Sequence, residues 1–103
     1  MKTAVLILAL LAPASSMLAA DAKAGGAAYD KSCKNCHGAA GTPNATMAKM
    51  FPTMGDLSSA KVQAVSDAEL KKVITDGKGK MPASKTLTVP PDDVVAFIRT
   101  LKK

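Results

Sequence analysis

Two cysteines and one histidine stand within five consecutive residues of the chain, in the order Cys33-Lys34-Asn35-Cys36-His37. They are the only cysteines and the only histidine among the 103 residues. Two thiols at this spacing can each add across one vinyl group of a porphyrin, and the histidine that follows can then ligate the iron. The motif therefore predicts a haem attached through Cys33 and Cys36, with His37 as the proximal iron ligand.

Three other chemistries use the same residue types. A disulfide between Cys33 and Cys36 would close a very short loop, which gains little stability. A redox-active dithiol of the thioredoxin type lies between a strand and a helix, but residues 22–28 favour a helix before Cys33. A structural zinc site needs four ligands, and this neighbourhood supplies only three. The spacing favours haem over these alternatives.

The first 20 residues have the pattern of a cleaved secretory signal peptide. Lys2 supplies the positive charge, residues 4–12 form the apolar region, and small residues precede the predicted cleavage after Ala20, with Ala22 as the alternative. The apolar region is shorter than the ~20 residues of a membrane span, so cleavage is expected rather than anchoring. In a bacterium this signal predicts export to the periplasm, an oxidising compartment.

Cleavage would remove 20 of the 103 residues and leave 83, which form one small domain over residues 21–103. Lys2 is the only charged residue removed, so the net charge falls from +6 to +5. Such a short chain buries little apolar surface and needs a further source of stability. Aromatic residues make up only 3% of the sequence, so a buried porphyrin would supply the large apolar body that the side chains lack. The positive charge is neither clustered nor interleaved with aromatic residues, which argues against nucleic-acid binding.

The hydrophobic pattern after the signal predicts helices and no strand. The first helix is expected from about Ala22 to Ser32. A middle helix begins at Ser66, which opens a capping-box pattern, and Gly77 marks its end. A last helix follows Pro90 and Pro91, with acidic residues in its first turn and lysines at its end.

The remaining segments are less regular. A short helix is expected around residues 59–64, whereas residues 38–54 contain several glycines and prolines and are predicted to be loop. The chain is therefore predicted to be all-α, with three to four helices around one haem.

The opposite side of the iron requires a second ligand or an open position. Because the chain has one histidine, a bis-histidine site within one chain is excluded, and methionine, lysine or an open position remains. Met81 closes a glycine-rich turn after the middle helix and is followed by a proline, which suits a ligand carried by a loop. Met81 is therefore predicted to be the distal ligand. Met47, Met50 and Met54 recur at spacings of three and four, so they are predicted to line a packed face, and one of them would ligate if Met81 did not.

Together these residues resemble the short class I soluble cytochromes c of bacteria over nearly the whole chain after residue 20. Gly25 and Tyr29 stand at the family positions in the pattern Gly-x-x-x-Tyr-x-x-x-Cys. Phe97 matches the aromatic residue of the C-terminal helix, which in that family crosses the first helix at its glycine. A side chain at position 25 would hold the two helices apart.

The resemblance implies a class I cytochrome c fold with one covalently bound haem c, ligated by His37 and Met81. It also implies that a proline carbonyl accepts the proton on His37 Nδ1. Pro43 and Pro52 are both candidates, and Pro52 is preferred because Leu57 follows it in the same turn-rich stretch.

The implied function is one-electron transfer by a monomeric, non-enzymatic carrier, without a membrane span, that docks transiently on acidic redox proteins. A positive rim is predicted from lysines close in sequence to the motif or the methionine loop: Lys31, Lys34, Lys78, Lys80 and Lys85. The alternatives are a haem enzyme or gas sensor with an open sixth position, or a thiol oxidoreductase without haem. The first is disfavoured because the one histidine is already used and the one arginine, Arg99, lies in the last helix.

Overall fold

The computed structural model describes residues 20–103, so the predicted signal peptide lies outside the described residues except for Ala20. Within this range the chain forms α1 (Ala22–Ser32), α2 (Lys34–His37), α3 (Ala45–Met50), α4 (Ala60–Gln63), α5 (Asp67–Asp76) and α6 (Pro91–Thr100). No strand occurs in these residues, and an isolated bridge joins Lys78 to Met81. The all-α prediction is confirmed. None of the helices described is long and apolar enough to cross a membrane.

The three longer helices begin where the sequence predicts them, but α6 ends at Thr100, before the lysines expected at its end. The Asp21 carboxylate caps α1 by accepting hydrogen bonds from the backbone N–H groups of Lys23 and Ala24, at 3.0 and 3.1 Å. Ser66 caps α5, and the helix ends at Gly77, whose φ of +80° suits a residue without a side chain. Pro91 is the first residue of α6, where its missing N–H leaves no donor unsatisfied.

The prediction of loop structure throughout residues 38–54 is wrong, because α3 lies inside that segment. The Asn44 side chain accepts a hydrogen bond from the Met47 N–H at 2.8 Å and so starts a helix of six residues. None of its residues is buried, and Met50 is 57% exposed, so the predicted packed face is wrong at Met50. Met47 and Met54 are half-buried. The predicted short helix around residues 59–64 is confirmed as α4.

The core is centred on the crossing of α1 and α6. A Cβ atom at Gly25 would overlap the backbone carbonyl of Asp93, so the two helices approach as closely as a glycine allows. The reason predicted for Gly25 is therefore confirmed. Next to it, Gly26 faces the ring of Phe97, and the rings of Phe97 and Tyr29 have centroids 4.9 Å apart.

Hydrogen bonds from α6 hold the α4–α5 segment against it. The Arg99 guanidinium donates to the Asp67 carboxylate at 2.7 and 3.0 Å, and to the carbonyls of Gln63 and Val65 at 2.9 and 2.6 Å. The Gln63 amide donates to the Ile98 carbonyl at 2.9 Å. The Arg99 bonds satisfy the carbonyls of Gln63 and Val65, because α4 ends there and no further helical turn supplies N–H donors to them. They fix the position of α5, whose apolar face forms one wall of the site.

Candidate haem site

An apolar cavity lies between the C-x-x-C-H motif, α5 and α6. Tyr29, Cys33 and His37 line it on the side of the motif, and Met81 also lines it. The other lining residues are aliphatic: Leu57, Leu70, Val73, Ile74, Val94 and Ile98. The fold thus brings Cys33, His37 and Met81 to one cavity, although the chain folds α3, α4 and α5 between the motif and the methionine. Apolar walls with a few polar groups are typical of a cofactor site.

The motif itself forms one turn of helix. The N–H of Cys33 donates to the Tyr29 carbonyl at 2.8 Å, and the N–H of His37 donates to the Cys33 carbonyl at 2.9 Å. Cys33 is buried and Cys36 is exposed, and both are free thiols. Of the two cysteines predicted to form thioether bonds, Cys33 therefore lies in the cavity wall, whereas Cys36 is exposed to solvent.

Burial shifts the pKa values of His37 and Cys33 in opposite directions. It lowers the pKa of His37, since the charged imidazolium is penalised in an apolar environment. It raises the pKa of the Cys33 thiol, and the neighbouring Cys36 raises it further. Both effects favour the neutral side chains, and a neutral imidazole keeps the free lone pair that a metal ligand needs.

His37 Nδ1 is buried and has no hydrogen-bond partner among residues 20–103. The expected hydrogen bond to the Pro52 carbonyl is therefore not formed in this structure, and Pro43 does not replace it. Pro52 is exposed, in a turn that follows α3. A buried polar atom without a partner is rare. With the proton on Nδ1, the other ring nitrogen of His37, Nε2, is the one with a lone pair for a metal.

The Met81 loop is a tight, glycine-dependent turn. The N–H of Lys78 donates to the Met81 carbonyl at 3.0 Å, and the N–H of Met81 donates back to the Lys78 carbonyl at 2.9 Å. A Cβ atom at Gly77 would lie only 2.7 Å from the Met81 carbonyl oxygen. The N–H of Ser84 donates to the Ile74 carbonyl at 2.9 Å and so returns the loop to α5. The backbone thus holds Met81 against the cavity without help from its side chain.

Two contacts at the site have no direct signal in the sequence. The Tyr29 hydroxyl donates to the Gly38 carbonyl at 2.6 Å, and the Lys80 ammonium lies 5.8 Å from the centroid of the Phe51 ring. The position of Tyr29 before Cys33 indicates a core aromatic residue, but nothing in the sequence indicates the partner of its hydroxyl.

A helical domain that folds a C-x-x-C-H motif and a methionine around one apolar cavity is a mono-haem c-type cytochrome. The chain belongs to the family described as cytochrome c oxidase, cbb3-type, subunit III, whose sequence model matches residues 20–99. No curated protein sequence matches the chain. Among solved structures it is similar to the KustC0563 c-type cytochrome, with 28% identity and a TM-score of 0.60, over 77% of this chain and 98% of that one. The resemblance to cytochromes c is confirmed, and the cofactor is haem c with its iron.

The residues around the cavity fit that cofactor better than a thioredoxin-type dithiol or a structural zinc site. Cys33 follows α1 directly, where a thioredoxin-type dithiol would follow a strand. Across residues 20–103, no group of three or more His, Cys, Asp or Glu side chains is placed to hold a metal ion such as zinc. Domains of this family are typically electron carriers.

Proposed function

We propose that the chain is a periplasmic one-electron carrier in a respiratory or related electron-transfer chain. In this proposal Cys33 and Cys36 form the two thioether bonds to the haem, and His37 and Met81 are the proximal and distal iron ligands. The observation that carries the proposal is that His37 and Met81 line the same apolar cavity as Cys33. A lysine ligand is less favoured, because the lysines of the loop, Lys78 and Lys80, are both exposed.

Bound haem iron supplies reversible one-electron oxidation and reduction. His37 and Met81 would hold the iron in both oxidation states, so no substrate needs access to the metal. A methionine thioether favours the reduced state and raises the reduction potential. With haem bound, the aliphatic residues of α5 and α6 that line the cavity would limit the access of water to it, which also raises the potential and limits rearrangement of solvent during transfer.

Location and docking extend the same proposal. Residues 1–20 would be removed as a signal peptide, and residues 21–103 would act as one monomeric domain. The five lysines near the motif and the methionine loop are exposed: Lys31, Lys34, Lys78, Lys80 and Lys85. Their exposure supports transient docking with acidic redox partners, for which charge raises the encounter rate.

The Met81 assignment predicts a specific spectral loss. In the oxidised, haem-loaded protein, Met81→Ala should remove the absorption band of iron–methionine sulfur, because the substitution removes the thioether. It should also lower the reduction potential, since the ligand that favours reduced iron is gone. Absorption spectra and a potentiometric titration measure both effects, and covalent attachment is checked by retention of the haem after acid–acetone extraction.

The chain offers a matched control in Met50→Ala, because Met50 is 57% exposed and does not line the cavity. That variant should keep the band. A wild-type protein without the band would favour the alternative of a haem enzyme or gas sensor with an open sixth position. Extraction of all haem by acid–acetone would leave a thiol oxidoreductase as the remaining alternative. Loss of the band in Met50→Ala but not in Met81→Ala would overturn the ligand assignment.

A further inference from the structure

Tyr29 contacts the C-x-x-C-H motif at both of its ends. Its backbone carbonyl accepts a hydrogen bond from the N–H of Cys33 at 2.8 Å, where the motif begins. Its side-chain hydroxyl donates to the carbonyl of Gly38 at 2.6 Å, directly after His37. Tyr29 is completely buried, and it lines the same cavity as Cys33 and His37. One residue of α1 is therefore hydrogen-bonded to the chain on both sides of the motif.

The Gly38 peptide is the point at which the chain turns away from the motif. The N–H of Gly38 donates to the Lys34 carbonyl at 2.8 Å, and the Gly38 carbonyl also accepts from the N–H of Gly41 at 3.2 Å. Its φ is +81°, and a Cβ atom there would overlap the Thr42 carbonyl, so the position requires glycine. Glycine leaves the Gly38 carbonyl free to rotate unless contacts fix it. The Gly41 N–H and the Tyr29 hydroxyl both do so, and the hydroxyl is the side-chain contact of the two.

Packing alone explains the ring of Tyr29 but not its hydroxyl. The ring lies against Phe97, and a phenylalanine at position 29 would preserve that contact. A buried hydroxyl is tolerated only when it finds a partner, and this one takes the carbonyl that follows the predicted iron ligand.

We propose that the Tyr29 hydroxyl is the positioning group for the proximal ligand: it holds the Gly38 peptide and thereby sets the orientation of the His37 ring. This proposal rests on the proposed role of His37 as the iron ligand. Tyr29 does not touch the iron, and it acts only through the backbone on which His37 is carried. Contacts behind a metal ligand fix its ring and tune the properties of the metal.

The test is Tyr29→Phe in the haem-loaded protein, which removes the hydroxyl and keeps the ring. The haem-methyl NMR shifts of the oxidised protein report the orientation of the axial imidazole, and their pattern should change together with the reduction potential. The Gly38 and Gly41 amides should exchange with solvent roughly 3- to 10-fold faster, as expected from the loss of one hydrogen bond. The iron–methionine band should remain, because the distal loop is untouched.

A control removes a hydroxyl-to-carbonyl hydrogen bond of the same length outside the motif. The Thr100 hydroxyl also donates to a carbonyl at 2.6 Å, that of Phe97, and it is exposed. Thr100→Val should leave the methyl shifts, the potential and the Gly41 exchange at their wild-type values.

The chain contains a single tyrosine, so biosynthetic replacement of tyrosine by fluorotyrosine alters position 29 alone. This second variant serves if Tyr29→Phe does not load haem. Fluorination makes the hydroxyl a stronger donor, so the reduction potential should move in the direction opposite to that caused by Tyr29→Phe. If Tyr29→Phe does not load haem, the fluorotyrosine protein is compared with the wild type, and a change in its reduction potential supports the proposal.

The outcomes separate this proposal from the function it rests on. Unchanged methyl shifts and potential in the loaded variants would overturn the positioning role, even if Tyr29→Phe lowered thermal stability, and would leave the electron-carrier proposal intact. Loss of the iron–methionine band in Tyr29→Phe would also overturn it, because the effect would then reach the distal side. A wild-type spectrum without histidine ligation would instead overturn the assignment of His37.

Discussion

At the scale of single residues, Asp56 connects the segment that follows the motif to the C-terminus. Its carboxylate accepts hydrogen bonds from the Ser58 hydroxyl and N–H at 2.5 and 2.9 Å, and from the Thr42 hydroxyl at 3.1 Å. The Lys103 ammonium lies 3.4 Å away. Thr42 in turn borders Gly38, so one carboxylate supports the chain on the far side of the motif.

This arrangement predicts an acid-dependent loss of stability. The Ser58 hydroxyl and N–H, with smaller contributions from Thr42 and Lys103, lower the pKa of Asp56 from 3.8 to about 2. A carboxylate whose pKa is lower in the folded state contributes stability that is present above its ordinary pKa and is lost as the pH falls through the folded value. The contribution of Asp56 to the free energy of unfolding should therefore be complete at pH 7 and should decline between about pH 4 and pH 2.

Asp56→Asn isolates that contribution. The variant should be less stable than the wild type at pH 7, and the difference should shrink as the pH approaches 2, as measured by denaturant unfolding of the haem-loaded protein. The control is Asp30→Asn, at an exposed position of α1. It should leave the dependence of the free energy of unfolding on pH as it is in the wild type. A stability difference for Asp56→Asn that stayed constant from pH 4 to pH 2 would contradict the prediction.

At the scale of helices, the crossing of α1 and α6 depends on one glycine. In Gly25→Ala the added methyl would meet the Asp93 backbone, which can move only if α6 moves with it. Overpacking of this kind costs about 1–3 kcal/mol. Alanine is the better helix former by about 1 kcal/mol, which offsets part of that cost. Gly25→Ala should therefore lower the free energy of unfolding of the holoprotein, although the local helix propensity improves.

The neighbouring glycine makes the comparison quantitative. Gly26→Ala gains the same helix propensity, but its methyl would meet the side chain of Phe97, which can shift, rather than a backbone. Gly25→Ala should therefore lower the free energy of urea unfolding more than Gly26→Ala does. Equal free energies of unfolding for the two variants would show that the backbone conflict at Gly25 costs no more than the side-chain conflict at Gly26.

The longer helices could be predicted from the sequence because each carries its own boundary signals. Ser66 and Gly77 delimit α5, and Pro91 begins α6, through local chemistry that does not depend on the rest of the fold. The prediction misses the helix α3, because its six residues bury no face and the nearby glycines and prolines are typical of loops. The spacing of Met47 and Met50 and the cap at Asn44 are its two signals in the sequence.

The same distinction applies to the site. The motif and the Met81 turn are local patterns, so their residues could be named from the sequence. The hydrogen bond between Tyr29 and Gly38 joins the side chain of one residue to the backbone of another across the whole motif. The missing partner of His37 Nδ1 depends on where a separate loop passes. Contacts of these kinds depend on tertiary packing, and no local sequence pattern indicates them.

At the scale of the whole molecule, the positive charge is unevenly neutralised. The ion pairs among residues 20–103 join Lys71 to Asp92, Arg99 to Asp67 and Lys103 to Asp56. In the described part of the chain, none of the five lysines near the motif and the methionine loop is in an ion pair. Their charge is therefore free to act on an approaching partner, within the ~8–10 Å over which physiological salt leaves it unscreened.

This distribution predicts that electron transfer to an anionic oxidant depends on salt. Oxidation of the reduced protein by ferricyanide, which takes one electron and becomes ferrocyanide, should slow as ionic strength rises, because screening weakens the attraction between the lysines and the anion. Stopped-flow measurement of the second-order rate constant against ionic strength tests this directly. Lys78→Glu combined with Lys85→Glu should lower the rate constant at low ionic strength by about threefold to tenfold and flatten the salt dependence.

Net charge alone would produce a similar trend, so the position of the charge needs its own control. Lys61→Glu combined with Lys102→Glu changes the net charge by the same amount at exposed residues of α4 and of the C-terminus. If the lysines near the methionine loop form the docking rim, this control should retain most of the wild-type rate constant at low salt. Equal losses in the two double variants would show that the protein attracts its partners through total charge, with no rim around the haem edge.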